Sequence, residues 1–190
     1  MKVIGLTGNI ACGKSSLAEL LAARNIPVLD SDEVVQQLYS EADVIAEIEA
    51  EFGTVDKQEL AALVFGDDDA KRARRARLEA ILHPKVEFRF REWVKKNQNE
   101  PIIVNVLPLL FEAGLEDRYD LIITVTCDET TQLERLLARN PNLSKVDCLK
   151  RIKSQMSQGE KASRADFVLD NSGDLAHLEQ ELDSVLSQIS

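Results

Sequence analysis

The sequence opens with a short apolar segment that runs directly into a glycine-containing loop. Residues 2–6 are typical of a buried strand, and GNIACGKS at residues 8–15 follows them after one threonine. Residues 14–24 carry leucines at helical spacing, so a helix is predicted from the end of the loop onward. A strand, a loop of the form G-x-x-x-x-G-K-[ST] and a helix together form a phosphate-binding unit.

Four residues of this loop have separate roles in such a unit. Gly8 and Gly13 permit the backbone torsions that turn successive N–H groups toward an anion. The Lys14 ammonium is expected to reach the β- and γ-phosphates, and the Ser15 hydroxyl is expected to bind Mg²⁺. The sequence therefore predicts a nucleoside triphosphate site with Mg²⁺ as its cofactor.

The rest of the chain predicts an α/β fold that is interrupted by a helical stretch. Four more strands are expected at residues 28–30, 101–107, 120–126 and 165–169. Helices are expected at residues 33–39, 42–52, 57–65, 69–96, 130–139, 144–158 and 174–189. The helix at 69–96 is predicted to break near His83-Pro84, and Ser144 is a candidate N-cap. Continuous apolar strands linked by helices favour a parallel sheet covered on both faces.

The charge distribution narrows the range of partners. The formal net charge is −10, which disfavours non-specific binding to nucleic acid. Residues 71–96 nevertheless contain ten lysines and arginines against three acidic residues, and residues 135–164 contain eight against two. These two basic segments indicate contacts with polyanionic ligands, although similar runs also occur on solvated helix surfaces. Since no apolar run is long enough to cross a bilayer, we expect neither nucleic acid nor membrane as a partner.

The cysteines indicate the redox environment. Cys12, Cys127 and Cys148 are widely spaced, which argues against a disulfide or zinc framework and for a reducing compartment. The N-terminus has no signal-peptide cleavage pattern, so the cytoplasm is predicted. Cys12 lies inside the phosphate-binding loop and leaves two interpretations open. It is either an oxidation-sensitive position whose pKa is lowered by the helix end, or a side chain that fills a variable position.

Two carboxylates follow the second strand. In Asp30-Ser31-Asp32, either carboxylate could hold a water on Mg²⁺ or accept a hydrogen bond from an attacking hydroxyl. We favour Asp32 as the base that orients the hydroxyl and Asp30 as the residue nearer the metal. The alternative is that Asp32 or Ser31 caps the following helix.

Several separated stretches together resemble one family, the dephospho-coenzyme A kinases. They are IGLTGNIACGKSS, IPVLDSDEV, LEAILHPKV, LPLLFEAGL and RIKSQMSQGEKASRADFVLDNSG, and they extend over nearly the whole chain. Members of this family transfer the γ-phosphate of ATP to the ribose 3′-hydroxyl of dephospho-coenzyme A, the last step of coenzyme A synthesis. The resemblance implies ATP and dephospho-coenzyme A as substrates. A monomer and a weak homo-oligomer are both compatible with it.

The resemblance also implies a fold and a division of the chain. The expected fold is a P-loop NTPase-type three-layer α/β fold with a five-stranded parallel sheet, a helical insertion and a lid. The nucleotide-binding core would comprise residues 1–32, 100–138 and 165–190. Residues 33–99 would form the insertion that binds the acceptor, and residues 139–164 would form the lid.

Site residues follow from the matching motifs. Asp32 would face the ribose hydroxyl, Arg139 would reach phosphates from the lid, and Asn171 would lie near the adenine. His83 and Pro84 would bind the acceptor. The ATP phosphates would be wrapped by Ala11, Cys12, Gly13, Lys14, Ser15 and Ser16.

Two departures from the family pattern bear on this site. Many members carry an acidic residue where this chain has Val106, so a metal carboxylate would have to come from Asp30 or Asp32. An acidic residue that often follows the lid arginine is also missing, since Asn140 follows Arg139. Two roles stay open: His83 either contacts the ligand or ends a helix, and Glu112 either supports the fold or contacts substrate.

Three other functions fit parts of this sequence less well. A nucleoside monophosphate kinase usually has a smaller insertion than the one predicted here. A shikimate kinase would carry a Gly-Gly substrate loop, and none of the eight glycines in this chain are adjacent. A non-catalytic module that responds to ATP is disfavoured because Asp32 accompanies a complete Lys14-Ser15 pair.

Overall fold

A computed structural model describes residues 1–66 and 68–189, which form two compact units. The first unit contains Met1–Leu29 together with the chain from Asn97 onward, and the second contains Asp30–Lys96. Within the described residues, no helix is both long enough and apolar enough to cross a membrane. The strands are β1 (Lys2–Gly8), β2 (Val28–Asp30), β3 (Ile102–Val106), β4 (Leu121–Thr126) and β5 (Phe167–Asp170). The helices are α1 (Lys14–Ala23), α2 (Ser31–Leu38), α3 (Ala42–Phe52), α4 (Lys57–Val64), α5 (Asp69–Lys96), α6 (Glu129–Arg139), α7 (Lys145–Lys153), α8 (Gln158–Arg164) and α9 (Leu175–Ile189).

The five strands form one parallel sheet in the order β2-β3-β1-β4-β5, which confirms the predicted fold class. β1 is the central strand, with Ile4 opposite Val104 of β3 and Leu121 of β4. The order places β1 where the connections leave toward both edges of the sheet. In open α/β sheets, ligands bind outside the carboxyl ends of the strands at such a point.

The central strand β1 is buried because side chains cover it on both faces. Ile4 and Leu6 of β1 are fully buried with Leu17 of α1 and Leu182 of α9 in one apolar cluster. Gly5 points to the other face, where an added Cβ would lie 2.6 Å from the side chain of Leu110. Apolar alternation is therefore lost in β1, as expected for a strand covered on both sides.

The predicted helix at residues 144–158 was wrong, because the chain forms two helices there. α7 begins after its N-cap Ser144, as predicted, but it ends at Lys153. Ser157 then starts α8 through a capping box, in which its hydroxyl accepts from the Glu160 N–H while the Glu160 carboxylate accepts from the Ser157 N–H. This reciprocal pair provides a new helix start, so the first helix does not continue.

Among the described residues of the second unit, the regular elements are helices, apart from the end of β2. Three shorter helices, α2, α3 and α4, each pack against the long helix α5. Ion pairs join α5 to the α3 region, with Lys85 lying 2.9 Å from Asp43 and 3.1 Å from Glu47. The carboxylate of Asp43 holds the pKa of the Lys85 ammonium above its usual value, with a smaller contribution from Glu47.

The predicted break of α5 near His83-Pro84 was also wrong. α5 runs without interruption from Asp69 to Lys96 with Pro84 inside it. Proline removes one helical hydrogen bond and disfavours helical torsions in the preceding residue. Here Leu78 and Leu82 are buried just before Pro84, and the Lys85 ion pairs follow directly after it. These tertiary contacts outweigh the local preference of the proline.

Candidate active site

The phosphate-binding loop, residues 8–15, has a positive φ at both of its glycines, with φ of 148° at Gly8. Gly13 has φ of 101° and is the N-cap of α1. A Cβ on Gly13 would lie 1.8 Å from Nδ2 of Asn171, so a larger residue would have to displace that side chain. Ala11 also has a positive φ of 63°. The loop is therefore tightly constrained immediately before the N–H groups of α1.

Three amide side chains from later in the sequence hold this loop in place. Asn171 donates to the carbonyl of Cys12 at 2.9 Å, and Gln132 of α6 donates to the carbonyl of Ile10 at 2.8 Å. The N–H of Ile10 donates in turn to Oε1 of Gln155 at 2.8 Å. These contacts satisfy the carbonyls of Ile10 and Cys12 and the N–H of Ile10, so the loop backbone is held by residues distant in sequence.

Lys14 lies across the loop. Its Nζ donates to the carbonyls of Gly8 at 2.8 Å and Asn9 at 3.1 Å. The hydroxyl-bearing Ser15 is exposed in the first turn of α1, and Ser16 is half-buried next to it. The structure thus brings together an ammonium, two hydroxyls and a helix N-terminus, which is the donor set that a phosphate chain requires.

A cavity of about 280 Å³, here called the Arg139 cavity, opens beside the loop. Two arginines of α6, Arg135 and Arg139, line it four residues apart on one helix face. The Arg135 guanidinium donates to the carbonyl of Asn171 at 2.9 Å, which fixes the connection after β5. The rest of the wall is formed by Ala11, Gly13, Ser16, Asn171, Gly173, Asp174 and Leu175. Arg135 was not predicted, although its spacing from Arg139 was visible in the sequence.

Glu112 supports a buried ion pair. Its Oε1 lies 2.9 Å from the ammonium of Lys161, which has no solvent exposure, and it accepts from the N–H of Met156 at 3.0 Å. Lys161 also donates to the carbonyl of Pro108 at 2.7 Å. These contacts therefore join the loop after β3 to α8 and to the segment that precedes α8. This arrangement favours a structural role for Glu112.

We expect Glu112→Gln to lower the free energy of unfolding by about 1.5–3 kcal/mol, because a buried ammonium loses its charged partner. Chemical denaturation measures the change. Glu116→Gln is the matched control: Glu116 pairs with the part-exposed Arg164, so its loss should cost less than about 1 kcal/mol. If Glu112→Gln is as stable as Glu116→Gln but loses turnover, Glu112 contacts substrate instead.

The acidic pair lies in the second unit. Asp30 ends β2 and is the N-cap of α2, with its Oδ1 accepting from the N–H groups of Asp32 at 2.8 Å and Glu33 at 3.4 Å. The cap is thus Asp30, whereas the sequence alternative named Asp32 or Ser31. Asp32 is exposed in the first turn of α2, so capping does not account for its carboxylate.

The other predicted acceptor residues are also in the second unit. His83 and Pro84 are adjacent and exposed on α5. His83 does not end a helix, because α5 continues for thirteen residues beyond it to Lys96. That removes the helix-ending alternative and leaves ligand contact as a prediction.

The metal donors are limited in number. Within residues 1–66 and 68–189, no group of three or more His, Cys, Asp or Glu side chains could hold a metal ion. Mg²⁺ is commonly held by one or two protein oxygens together with substrate phosphates and water. The exposed Ser15 hydroxyl at the start of α1 fits that mode of binding, because it is a hard oxygen donor beside the phosphate-binding loop.

Comparison with known proteins decides the family. A family model described as dephospho-CoA kinase matches residues 2–177. The chain belongs to the dephospho-CoA kinase family. A relative of that name from Deinococcus radiodurans is 41% identical, with 98% of this chain and 91% of the relative covered. A relative of the same name from Latilactobacillus sakei is also 41% identical, with 98% and 95% covered.

Solved structures agree with the fold. A Thermus thermophilus structure titled TT1252 has a TM-score of 0.87 and 35% identity, with 100% of this chain and 98% of that chain covered. The family resemblance and the P-loop NTPase-type fold predicted from the sequence are confirmed. The predicted roles of individual site residues stay predictions.

Proposed function

We propose that this protein transfers the γ-phosphate of ATP to the ribose 3′-hydroxyl of dephospho-coenzyme A. The observation that carries the proposal is the family match over residues 2–177, which includes an intact Gly13-Lys14-Ser15 at the start of α1. Relatives named dephospho-CoA kinase at 34–41% identity over nearly the whole chain support the same acceptor.

The nucleotide would occupy the first unit. The loop N–H groups and the Lys14 ammonium would neutralise the β- and γ-phosphates, and Ser16 would contribute its hydroxyl beside them. The adenosine part would enter the Arg139 cavity, where Arg135 and Asn171 form part of the wall. Support comes from the continuity of this cavity with the loop, since Ala11, Gly13 and Ser16 line it.

We propose Mg²⁺ as the ion that accompanies ATP. Ser15 would hold it, and Asp30 would contribute through a water on the ion. When bound, the ion supplies positive charge that stabilises the transferring phosphate. Because Oδ1 of Asp30 already caps α2, only its other carboxylate oxygen would face such a water.

The acceptor side of the reaction rests on the second unit. Asp32 would accept a hydrogen bond from the ribose 3′-hydroxyl and orient it for in-line attack on the γ-phosphorus. Residues 33–99 would bind the rest of dephospho-coenzyme A, with His83 and Pro84 among the contacts. The exposed position of both residues on α5 leaves them available to a ligand.

Residues 139–164 would act as a lid over the phosphates. Arg139 lies at the end of α6 and lines the Arg139 cavity, so it could contact phosphate when ATP is bound. A closed lid would exclude water, which competes with the sugar hydroxyl for the γ-phosphate. The cytoplasm remains the proposed location of this activity.

An acceptor screen tests the proposal. The purified protein is incubated with ATP and Mg²⁺ and with dephospho-coenzyme A, shikimate, AMP or CMP, and ADP release is followed by a coupled assay. We expect rapid ADP release with dephospho-coenzyme A alone, and a product that carries a new phosphate at the 3′-position by phosphorus NMR. Equal rates with another acceptor, or ADP release that needs no acceptor, would contradict the proposal.

A further inference from the structure

Two cysteines meet beneath the phosphate-binding loop. Cys12 belongs to the loop, and Cys127 directly follows the last residue of β4. β1 and β4 are adjacent parallel strands, with Gly8 opposite Val125, so both chains leave the sheet at the same edge. The two sulfurs are 3.4 Å apart. A disulfide requires about 2.05 Å, so a closure of little more than an ångström would join them.

The two thiols differ in their ease of ionisation. The S–H of Cys127 donates to Cys12 Sγ, and this hydrogen bond lowers the pKa of Cys12. Burial partly opposes this lowering of the pKa, and the charge of Lys14 adds to it. The same hydrogen bond and burial raise the pKa of Cys127. Cys12 is thus the nucleophile of the pair, and Cys127 is the second thiol that reacts with its oxidised form.

A small oxidant has a route to the pair. Gln158 contacts both cysteines, with Oε1 lying 3.3 Å from Cys12 Sγ and accepting from the Cys127 N–H at 2.8 Å. Gln158 also lines a cavity of about 510 Å³ together with Asn9 and Gln132. Cys12 itself has no solvent exposure, and Cys127 is 7% exposed. Access is therefore through this cavity and past one amide side chain, which favours a reagent the size of hydrogen peroxide.

We propose that Cys12 and Cys127 form a reversible disulfide in the presence of peroxide, and that this disulfide switches off nucleotide binding by the loop. The inference rests on the proposed function in that it assigns a regulatory modification to the same ATP site. Of the two interpretations of Cys12, it favours the oxidation-sensitive position. The second thiol is Cys127, which the sequence alone did not indicate.

The chemistry balances with peroxide as the oxidant. The Cys12 thiolate attacks one peroxide oxygen, the O–O bond breaks, and the departing hydroxide takes up a proton to give water and a sulfenic acid on Cys12. The Cys127 sulfur then attacks the sulfur of the sulfenic acid. The S–O bond breaks, the Cys127 proton passes to the leaving oxygen, and a second water is released. Two thiols and one peroxide thus yield one disulfide and two waters.

The disulfide acts on the loop because Cys12 has little freedom to move alone. It lies between Ala11 and Gly13, both at positive φ, and its carbonyl is held by Asn171. Drawing its sulfur toward Cys127 shifts this backbone and removes the contact with Gln158. The loop N–H groups then lose the arrangement that receives a phosphate, since such donors act only within a few tenths of an ångström of their best distance.

The test uses the full-length protein before and after treatment with hydrogen peroxide. We expect a loss of about 2 Da in intact mass and a Cys12–Cys127 cross-link in a digest made without reductant. Isothermal titration should show the Kd for ATP rising by about tenfold or more, equivalent to at least about 1.4 kcal/mol, and returning after dithiothreitol. The mass analysis needs no ligand and the titration needs only ATP, so a wrong acceptor assignment would leave both results unchanged.

Two variants, each with one cysteine replaced by serine, complete the test. Cys127→Ser should bind ATP as the reduced wild type does and should form no intramolecular disulfide. Cys148→Ser is the matched control, because Cys148 is equally buried but lies in α7, and it should still form the Cys12–Cys127 cross-link. A cross-link that involves Cys148, no loss of mass in the wild type, or a Cys12–Cys127 disulfide with unchanged ATP affinity would each overturn the proposal.

Discussion

Asp32→Asn is expected to lower kcat by about 10²–10⁴-fold, the range typical of a lost catalytic base. Asparagine retains the size of the side chain but cannot accept the hydroxyl proton, so substrate would bind without being oriented for attack. The Kd values for ATP and dephospho-coenzyme A should change little, because Asp30 and not Asp32 caps α2. Steady-state kinetics and isothermal titration measure the two effects separately.

Glu33→Gln provides a matched control for this variant. Glu33 is exposed in the same first turn of α2 and carries the same charge. Removing its charge should lower the free energy of unfolding by about 0.3–1 kcal/mol, because an acidic side chain stabilises a helix N-terminus, and kcat should stay unchanged. Wild-type turnover in Asp32→Asn would show that Asp32 has no part in the mechanism. An equal decrease of kcat in Glu33→Gln would show that any negative charge in this turn has the same effect.

Lys14→Met is expected to reduce kcat/KM by about 10²–10³-fold, because one charged donor to the transferring phosphate is removed. The fold should persist, since the contacts of the Lys14 ammonium with the carbonyls of Gly8 and Asn9 lie within the loop itself. Lys14→Arg should fail to restore activity, because a planar guanidinium cannot occupy the place of a compact ammonium. Initial rates at varied ATP concentration measure the loss.

Arg24→Met controls for the removal of one positive charge from the same helix. Arg24 lies at the far end of α1 and pairs with the exposed Asp183 at 2.7 Å. Such a surface pair is worth less than about 1 kcal/mol, so the variant should retain full activity. An activity loss of similar size in Arg24→Met would mean that helix charge, and not contact with phosphate, explains Lys14→Met.

The sheet could be predicted because its signal is local and continuous. β3 and β4 are runs of β-branched and apolar residues, and the observed strands Ile102–Val106 and Leu121–Thr126 differ from the predicted ones only at their ends. The phosphate-binding loop could be predicted because its glycine spacing, lysine and serine are all close in sequence. The family resemblance added the order of the motifs, which the family match confirms.

The errors have a different origin. The start of α8 was visible as Ser-x-x-Glu at Ser157 and Glu160, but the basic residues around it obscured the signal. The continuity of α5 through Pro84 depends on contacts with the neighbouring helix α4 and with the more distant helices α2 and α3. A local rule for proline could not anticipate packing that forms only in the folded unit.

The long-range part of the site could not be predicted either. Cys127 is 115 residues from Cys12, and Gln158 is 146 residues from it. Only the register of β1 and β4 brings the two cysteines together. Asn171 was predicted from a family motif, whereas the roles of Gln132, Gln155 and Gln158 were not, because an uncharged amide side chain resembles an ordinary surface residue in a single sequence.

The buried ammonium of Lys161 has a mechanical consequence for the proposed lid. Its contacts with Glu112 and Pro108 fasten α8 to the body of the first unit, and withdrawing that charge into solvent would break both. Within the proposed lid, residues 139–164, the α8 end is therefore anchored. We expect any closing motion of that segment to leave α8 in place, because moving it would expose a buried ammonium to water and separate it from its carboxylate.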